Sequence, residues 1–120
     1  SPWLKSIQWI HYDKWGIISR FTTNEKTMII HSYAFANCAY LRDVVIYTSV
    51  NVIGAYAFED TILQTITFNS STVPYITSSR IFDEYNQDLI IFVPEASLNI
   101  YKLNVALQNY RIEAIGTVIE

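Results

Sequence analysis

Residues 30–46 read Ile-His-Ser-Tyr-Ala-Phe-Ala-Asn-Cys-Ala-Tyr-Leu-Arg-Asp-Val-Val-Ile, and residues 53–68 read Ile-Gly-Ala-Tyr-Ala-Phe-Glu-Asp-Thr-Ile-Leu-Gln-Thr-Ile-Thr-Phe. The second stretch is a degenerate copy of the first. Tyr33-Ala34-Phe35 returns as Tyr56-Ala57-Phe58, a shift of 56 − 33 = 23 residues. Leu41, Val44 and Ile46 return as Leu63, Ile66 and Phe68, a shift of 22 with one residue lost between. Ile30, Ile53 and Ile76 open successive units and keep the spacing of 23. Self-similarity at a fixed period means a stack of like coils, each burying its apolar face against the next.

A period of roughly 20–29 residues with an L-x-x-I-x-I core is the signature of a leucine-rich-repeat solenoid. Each such segment is predicted to be a short strand stacked in parallel on its neighbours. Side chains alternate faces along a strand. Leu41, Val44, Ile46, Leu63, Ile66 and Phe68 should therefore point inward, and Val45, Tyr47, Thr67 and Asn69 outward. Turns or short helical returns, with Phe35 and Phe58 facing in, close each coil. Gly54 is expected to ease a tight corner.

Leu4-Lys5-Ser6-Ile7-Gln8-Trp9 fits the same strand template, so earlier repeats are expected upstream. From Leu4 to Leu41 is 37 residues, so residues 10–29 read as an insertion, with short strands at Trp15–Ile18 and Thr27–Ile30 flanking a polar turn at Thr22–Lys26. A third unit runs from Ile76 through Phe82 to a strand in which Leu89, Ile91 and Val93 face inward, and Pro94 closes it. Pro94 and Glu95 suit a helix start. That helix is predicted to reach about Tyr110, with Leu98, Tyr101, Val105 and Leu107 as its apolar face, and to cap the open strand edge. Ile112, Ile115 and Val118 mark a last extended segment. The expected organisation is one domain over 1–120: an irregular partial repeat at 1–29, repeats at 30–52, 53–75 and 76–94, and a cap at 95–120.

Composition narrows the function classes. At 120 residues the chain is long enough for one domain with its own core. It is 51% hydrophobic and 16% charged, which argues against disorder. The net charge of −3, with no basic patch, argues against nucleic acid and anionic membranes. No apolar run approaches a membrane span. No secretion signal opens the chain, so one is expected upstream or already removed.

Residues with chemical potential mostly carry bland readings. Cys38 is the single cysteine and reads as a small buried hydrophobe rather than a nucleophile. His11 and His31 lack metal-ligand spacing. Glu59-Asp60 and Asp83-Glu84 with Asp88 match neither a glycosidase pair nor a calcium loop and read as solvated acids. The three glycines, at 16, 54 and 116, stand alone and form no phosphate loop. No catalytic set, metal or cofactor is expected.

The units resemble the BspA-type leucine-rich repeat, whose pattern is roughly I-G-x-x-A-F-x-x-C-x-x-L-x-x-I-x-I-P. Ile53-Gly54, Ala57-Phe58, Leu63, Ile66 and Phe68 match it, as do Ala34-Phe35, Cys38, Leu41, Val44 and Ile46. The stretch from Ile91 to Lys102 looks like the closing segment of such proteins in gut bacteria, with Leu107 where a tryptophan often stands. The resemblance implies export, display on the surface of anaerobic bacteria, and a non-catalytic role in adhesion to host matrix or other cell-surface proteins.

The outward strand positions are the candidate binding residues, because solenoids bind along such faces. Aligned strands give one row of Gln8, Val45, Thr67 and Phe92, and a next row of Ile10, Tyr47, Asn69 and Pro94. The binding set read from them is Gln8, Val45, Tyr47, Thr67, Asn69 and Phe92, facing a protein partner. Two other readings stand beside it. A carbohydrate-binding module would need two exposed, nearly coplanar rings among Tyr12, Trp15, Tyr47, Tyr75 and Phe92. A structural cap or spacer of a longer solenoid would need no ligand. Trp3, Trp9 and Trp15 cluster at the N-terminal edge, where self-association is expected if upstream repeats are absent.

Overall fold

In the computed structural model, which describes residues 6–7, 18–78, 80–82 and 86–119, the period becomes two parallel sheets on opposite walls of a solenoid. The first is five-stranded: β2 (Arg20–Thr22), β4 (Asp43–Ile46), β6 (Thr65–Phe68), β8 (Ile90–Val93) and β9 (Arg111–Ala114). The second is four-stranded: β1 (Ser6–Ile7), β3 (Ile29–Ile30), β5 (Val52–Ile53) and β7 (Tyr75–Ile76). Strands of one sheet alternate along the chain with strands of the other as far as β8. The isoleucine spacing is literal register, since Ile7, Ile30, Ile53 and Ile76 stand in one row.

Burial follows the predicted alternation. Leu41, Val44, Ile46, Leu63, Ile66, Phe68, Leu89, Ile91 and Val93 are all buried. β4, β6 and β8 share the same half-buried, buried alternation, as a sheet with one face in the core must. Aromatic rings run through the middle like a spine. Phe21, Phe35, Phe58, Phe82 and Tyr110 meet in succession, with ring centroids 4.9, 5.4, 5.9 and 5.1 Å apart.

The return corners are also laddered from coil to coil. Phe35 N–H donates to the Ala57 carbonyl at 2.8 Å, and Phe58 N–H to that of Ile81 at 2.8 Å. Tyr33, Asn37, Tyr56 and Asp60 sit at φ of 62°, 65°, 59° and 56°, two left-handed residues per coil at the repeat spacing. A left-handed tyrosine is strained by about 1–2 kcal/mol. The corner hydrogen bonds offset that cost, together with stacking of Tyr33 on Tyr56 at 5.2 Å and 16°.

The described residues before Ile30 are more regular than their sequence. Ser6–Ile7 pairs with Ile29–Ile30 in the four-stranded sheet, so the assignment of Leu4–Trp9 to the L-x-x-I-x-I strand is overturned. Nor do the described strands leave room for an insertion in their register. Arg20–Thr22 pairs with Asp43–Val45 at an offset of 43 − 20 = 23. Thr22 belongs to a strand rather than to the polar turn, which is confined to the residues after it. The Thr27 N–H donates to the Asn24 carbonyl at 3.1 Å. Of the two short strands expected there, Ile29–Ile30 alone lies in the second, and Trp15–Ile17 falls outside the described residues. The physical cause is Thr23, which takes the core position of Ile46 and Phe68. It is fully buried, and its Oγ1 accepts the Tyr47 N–H at 2.9 Å. A satisfied hydroxyl can occupy a core site, but it breaks the apolar pattern.

The C-terminal end differs most. A 3-10 turn at Glu95–Ser97 leads into α1 (Leu98–Lys102), and the helix stops there rather than near Tyr110. Asn104 ends it: its side-chain Oδ1 accepts the Ala106 N–H at 2.9 Å, a local bond that competes with helix. Val105, expected on the apolar face, is 69% exposed, whereas Tyr101 and Leu107 are buried. The edge of β8 is covered by β9 and not by a helix. Ile112 of β9 is buried, and Ile115 and Val118 beyond it are exposed.

Candidate functional site

The outward face of the five-stranded sheet carries two complete rows of side chains. One is Thr22, Val45, Thr67, Phe92 and Glu113, and the other Arg20, Asp43, Thr65, Ile90 and Arg111. Val45, Thr67 and Phe92 stand side by side as expected. Tyr47 is 38% exposed just past β4, and Asn69 is half-buried just past β6. Gln8 lies outside the described residues, and the alignment that put it in this row fails because Ser6–Ile7 belongs to the other sheet.

The second row escaped the sequence reading, although alternation alone marks the residue before Val44, Ile66 and Ile91 as outward too. It completes a pattern. Val45, Ile90 and Phe92, with Thr67 among them, form a mostly apolar centre, half-buried and held by the ladder. Charges flank it on both sides. Arg20 Nε lies 3.5 Å from Asp43 Oδ2, and Arg111 Nε donates to Glu113 Oε2 at 2.9 Å. Asp43 also accepts the Thr65 hydroxyl at 2.7 Å. Exposed ion pairs of this kind contribute roughly 0–1 kcal/mol to folding, so their value lies in lining a surface.

Among the described residues, Cys38 is inert and Glu59 is engaged. Burial pushes the Cys38 thiol up to about 11, the reverse of what a nucleophile needs. Glu59 takes both Arg80 Nε at 3.0 Å and Nη2 at 2.9 Å, a bidentate pair that tethers one corner to the next. Among the described residues no three His, Cys, Asp or Glu groups gather as a metal site. His11, Asp83, Glu84, Tyr12 and the three tryptophans lie outside the described residues. Of the rings named for sugar stacking, Tyr75 belongs to the four-stranded sheet, so it does not share a face with Tyr47 and Phe92.

The sequence model of the family described as BspA type leucine rich repeat region (6 copies) matches residues 5–115. The chain belongs to the BspA-type leucine-rich-repeat family. Repeat proteins of this family are commonly surface-associated and typically non-catalytic, and leucine-rich repeats generally mediate protein interactions. A comparison with curated proteins finds no match. Among the described residues no helix is long and apolar enough to cross a membrane. The BspA-type signature positions Ala34, Phe35, Cys38 and Leu41 are all core.

The buried thiol and phenol make stability fall at high pH. Burial raises the folded-state pKa of both Cys38 and Tyr101. The unfolded chain therefore loses these protons first, and stability present below pH 9 is lost as pH rises. Cys38 acts between 9.0 and about 11, and Tyr101 above 10.0. The Cys38 share is on the order of 2 kcal/mol. Urea midpoints at pH 7 and pH 10.5 should separate less for Cys38→Ala than for the parent. Equal separations would show that the thiol is not coupled to folding.

Proposed function

We propose that this BspA-type repeat is a non-catalytic scaffold displayed outside the cell, which holds a protein partner, in adhesion, on the outward face of its five-stranded sheet. The observation that carries this reading is the arrangement of that face, with Val45, Thr67, Ile90 and Phe92 at the centre and Arg20, Asp43, Arg111 and Glu113 around it. An apolar centre with a polar rim is the usual anatomy of a recognition surface. A rigid parallel ladder also limits the ordering cost of binding.

The experiment is a binding screen of the chain against host matrix and cell-surface proteins alongside a glycan array. For a protein that binds, Phe92→Ala and Tyr47→Ala should each weaken binding, by roughly thirtyfold if either is a hot spot of about 2 kcal/mol. Tyr40→Ala, exposed on a return corner, should leave it unchanged. Loss of binding in the Tyr40 variant alone would move the partner off this face. Glycan binding without protein binding would replace the protein reading with the carbohydrate one, and no ligand at all would favour the spacer role.

A further inference from the structure

The four-stranded sheet stops one coil before its neighbour. β4 is followed by β5 and β6 by β7, but after β8 the chain enters the 3-10 turn and α1 instead of another strand. β7 is therefore the last strand of its sheet among the described residues. Tyr75 and Thr77 turn their N–H groups toward β5, donating to Asn51 at 2.8 Å and Ile53 at 3.1 Å. Backbone groups of successive strand residues point to opposite sides. The N–H and C=O of Ile76 thus face away from β5, on the side where no described strand pairs.

Opposite that edge stands the segment 104–106, and between it and residues 73–78 lies an open groove of about 550 Å³. None of the nine lining residues is charged. Tyr75, at 68% exposed, and Val105, at 69%, are apolar lining residues open to solvent. The end strands of the other sheet are different, since β2 carries Arg20 and β9 carries Arg111 and Glu113. Charges on an edge discourage a further strand. Just before β7 stands Pro74, which lacks an N–H and so confines pairing to the backbone from Ile76 onward.

We propose that this groove takes an extended, uncharged peptide segment of a partner protein as an added strand. Its backbone pairs with the N–H and C=O of Ile76, and an aliphatic side chain lies against Val105 and Ala106. Two features of the groove select this occupant. It continues the sheet at the point where the next strand of the stack would lie, and its lining offers no counter-charge, so a charged segment would be desolvated without compensation. The site is on the other sheet from the adhesive face, and neither proposal depends on the other.

The test is a titration of the ¹⁵N-labelled chain with a blocked pentapeptide of alternating threonine and valine, and with two versions N-methylated on alternate residues. The Ile76 amide should shift and exchange with solvent about tenfold more slowly at saturation. One N-methylated peptide should fail, because only one edge of the peptide pairs. Val105→Asp should weaken binding about tenfold or more. Val118→Asp, at an 81% exposed position outside the groove, should not. No response at Ile76, or equal binding of a pentapeptide alternating glutamate and valine, would overturn the proposal. So would a concentration-dependent dimer that protects Ile76 without any effect of peptide, since the occupant would then be a second copy of the chain.

Discussion

Phe58→Ala should lower folding stability by about 3–5 kcal/mol, the usual cost of truncating a buried phenylalanine. Phe58 is fully buried at the centre of the aromatic spine. Its ring stacks on Phe35 at 5.4 Å and 2° and on Phe82 at 5.9 Å and 23°. Two stacked contacts contribute roughly 0.5–1.5 kcal/mol each beyond the area they bury. The neighbouring coils are poorly placed to close the void. Backbone bonds from Phe35 to Ala57 and from Phe58 to Ile81 fix the corners, so the flanking Phe35 and Phe82 rings cannot slide inward without breaking the ladder. A domain of this size has roughly 5–15 kcal/mol in all, and the variant should stand near its unfolding threshold. Urea denaturation followed by circular dichroism gives the value. A loss under about 1 kcal/mol would mean that the spine is not a principal source of stability.

Gly54→Ala should be the other damaging change, costing at least the roughly 1–3 kcal/mol of a typical overpacked site. The glycine is there for closeness rather than for its turn conformation. A methyl group at this position would fall on the backbone nitrogen of Ser32 and lie 2.8 Å from the His31 carbonyl carbon and 2.7 Å from Ser32 Oγ. Two of these three atoms are backbone of the preceding coil, which the Gly54 N–H binds through the Ile30 carbonyl at 2.7 Å. The coils would have to part. Removing the hydroxymethyl group with Ser32→Gly should therefore fail to rescue Gly54→Ala, and full recovery in the double variant would show that only the side chain was in the way. Gly116 is the contrasting case: open space surrounds it, and its φ of +95° is what calls for glycine.

Much of the interior was legible because the core residues recur. Leu41 and Leu63, Val44 and Ile66, and Phe35 and Phe58 repeat because each coil must fit the next, and period plus alternation assigns them inward without any coordinates. The coil through Ile18–Ile30 was not legible, although it has the same register. Phe21 and Thr23 hold the places of Val44 and Ile46, and the buried threonine looks polar until its bond to Tyr47 is seen. Leu4–Trp9 failed for the opposite reason. An apolar spacing matched the strand template by coincidence, whereas counting 23 back from Ile30 lands on Ile7, where the chain pairs. In the candidate face, Val45, Thr67 and Phe92 could be aligned from sequence. Asp43, Thr65 and Ile90 could have been, by the same alternation. Glu113 and Arg111 could not, since nothing in the tail's apolar spacing announces that it returns as a fifth strand.

The sequence by itself determined the coil length, the inward set of the regular coils and the family, because those depend on residues that repeat. The tertiary structure alone decided where the stack ends. Whether a strand is paired or open depends on which segment lies beside it, not on its own residues. The chain after Pro94 turns helical on one wall and comes back as β9 on the other. That asymmetry leaves a charged edge at β9 and an uncharged one at β7, and it sets the candidate face and the proposed groove on different sheets.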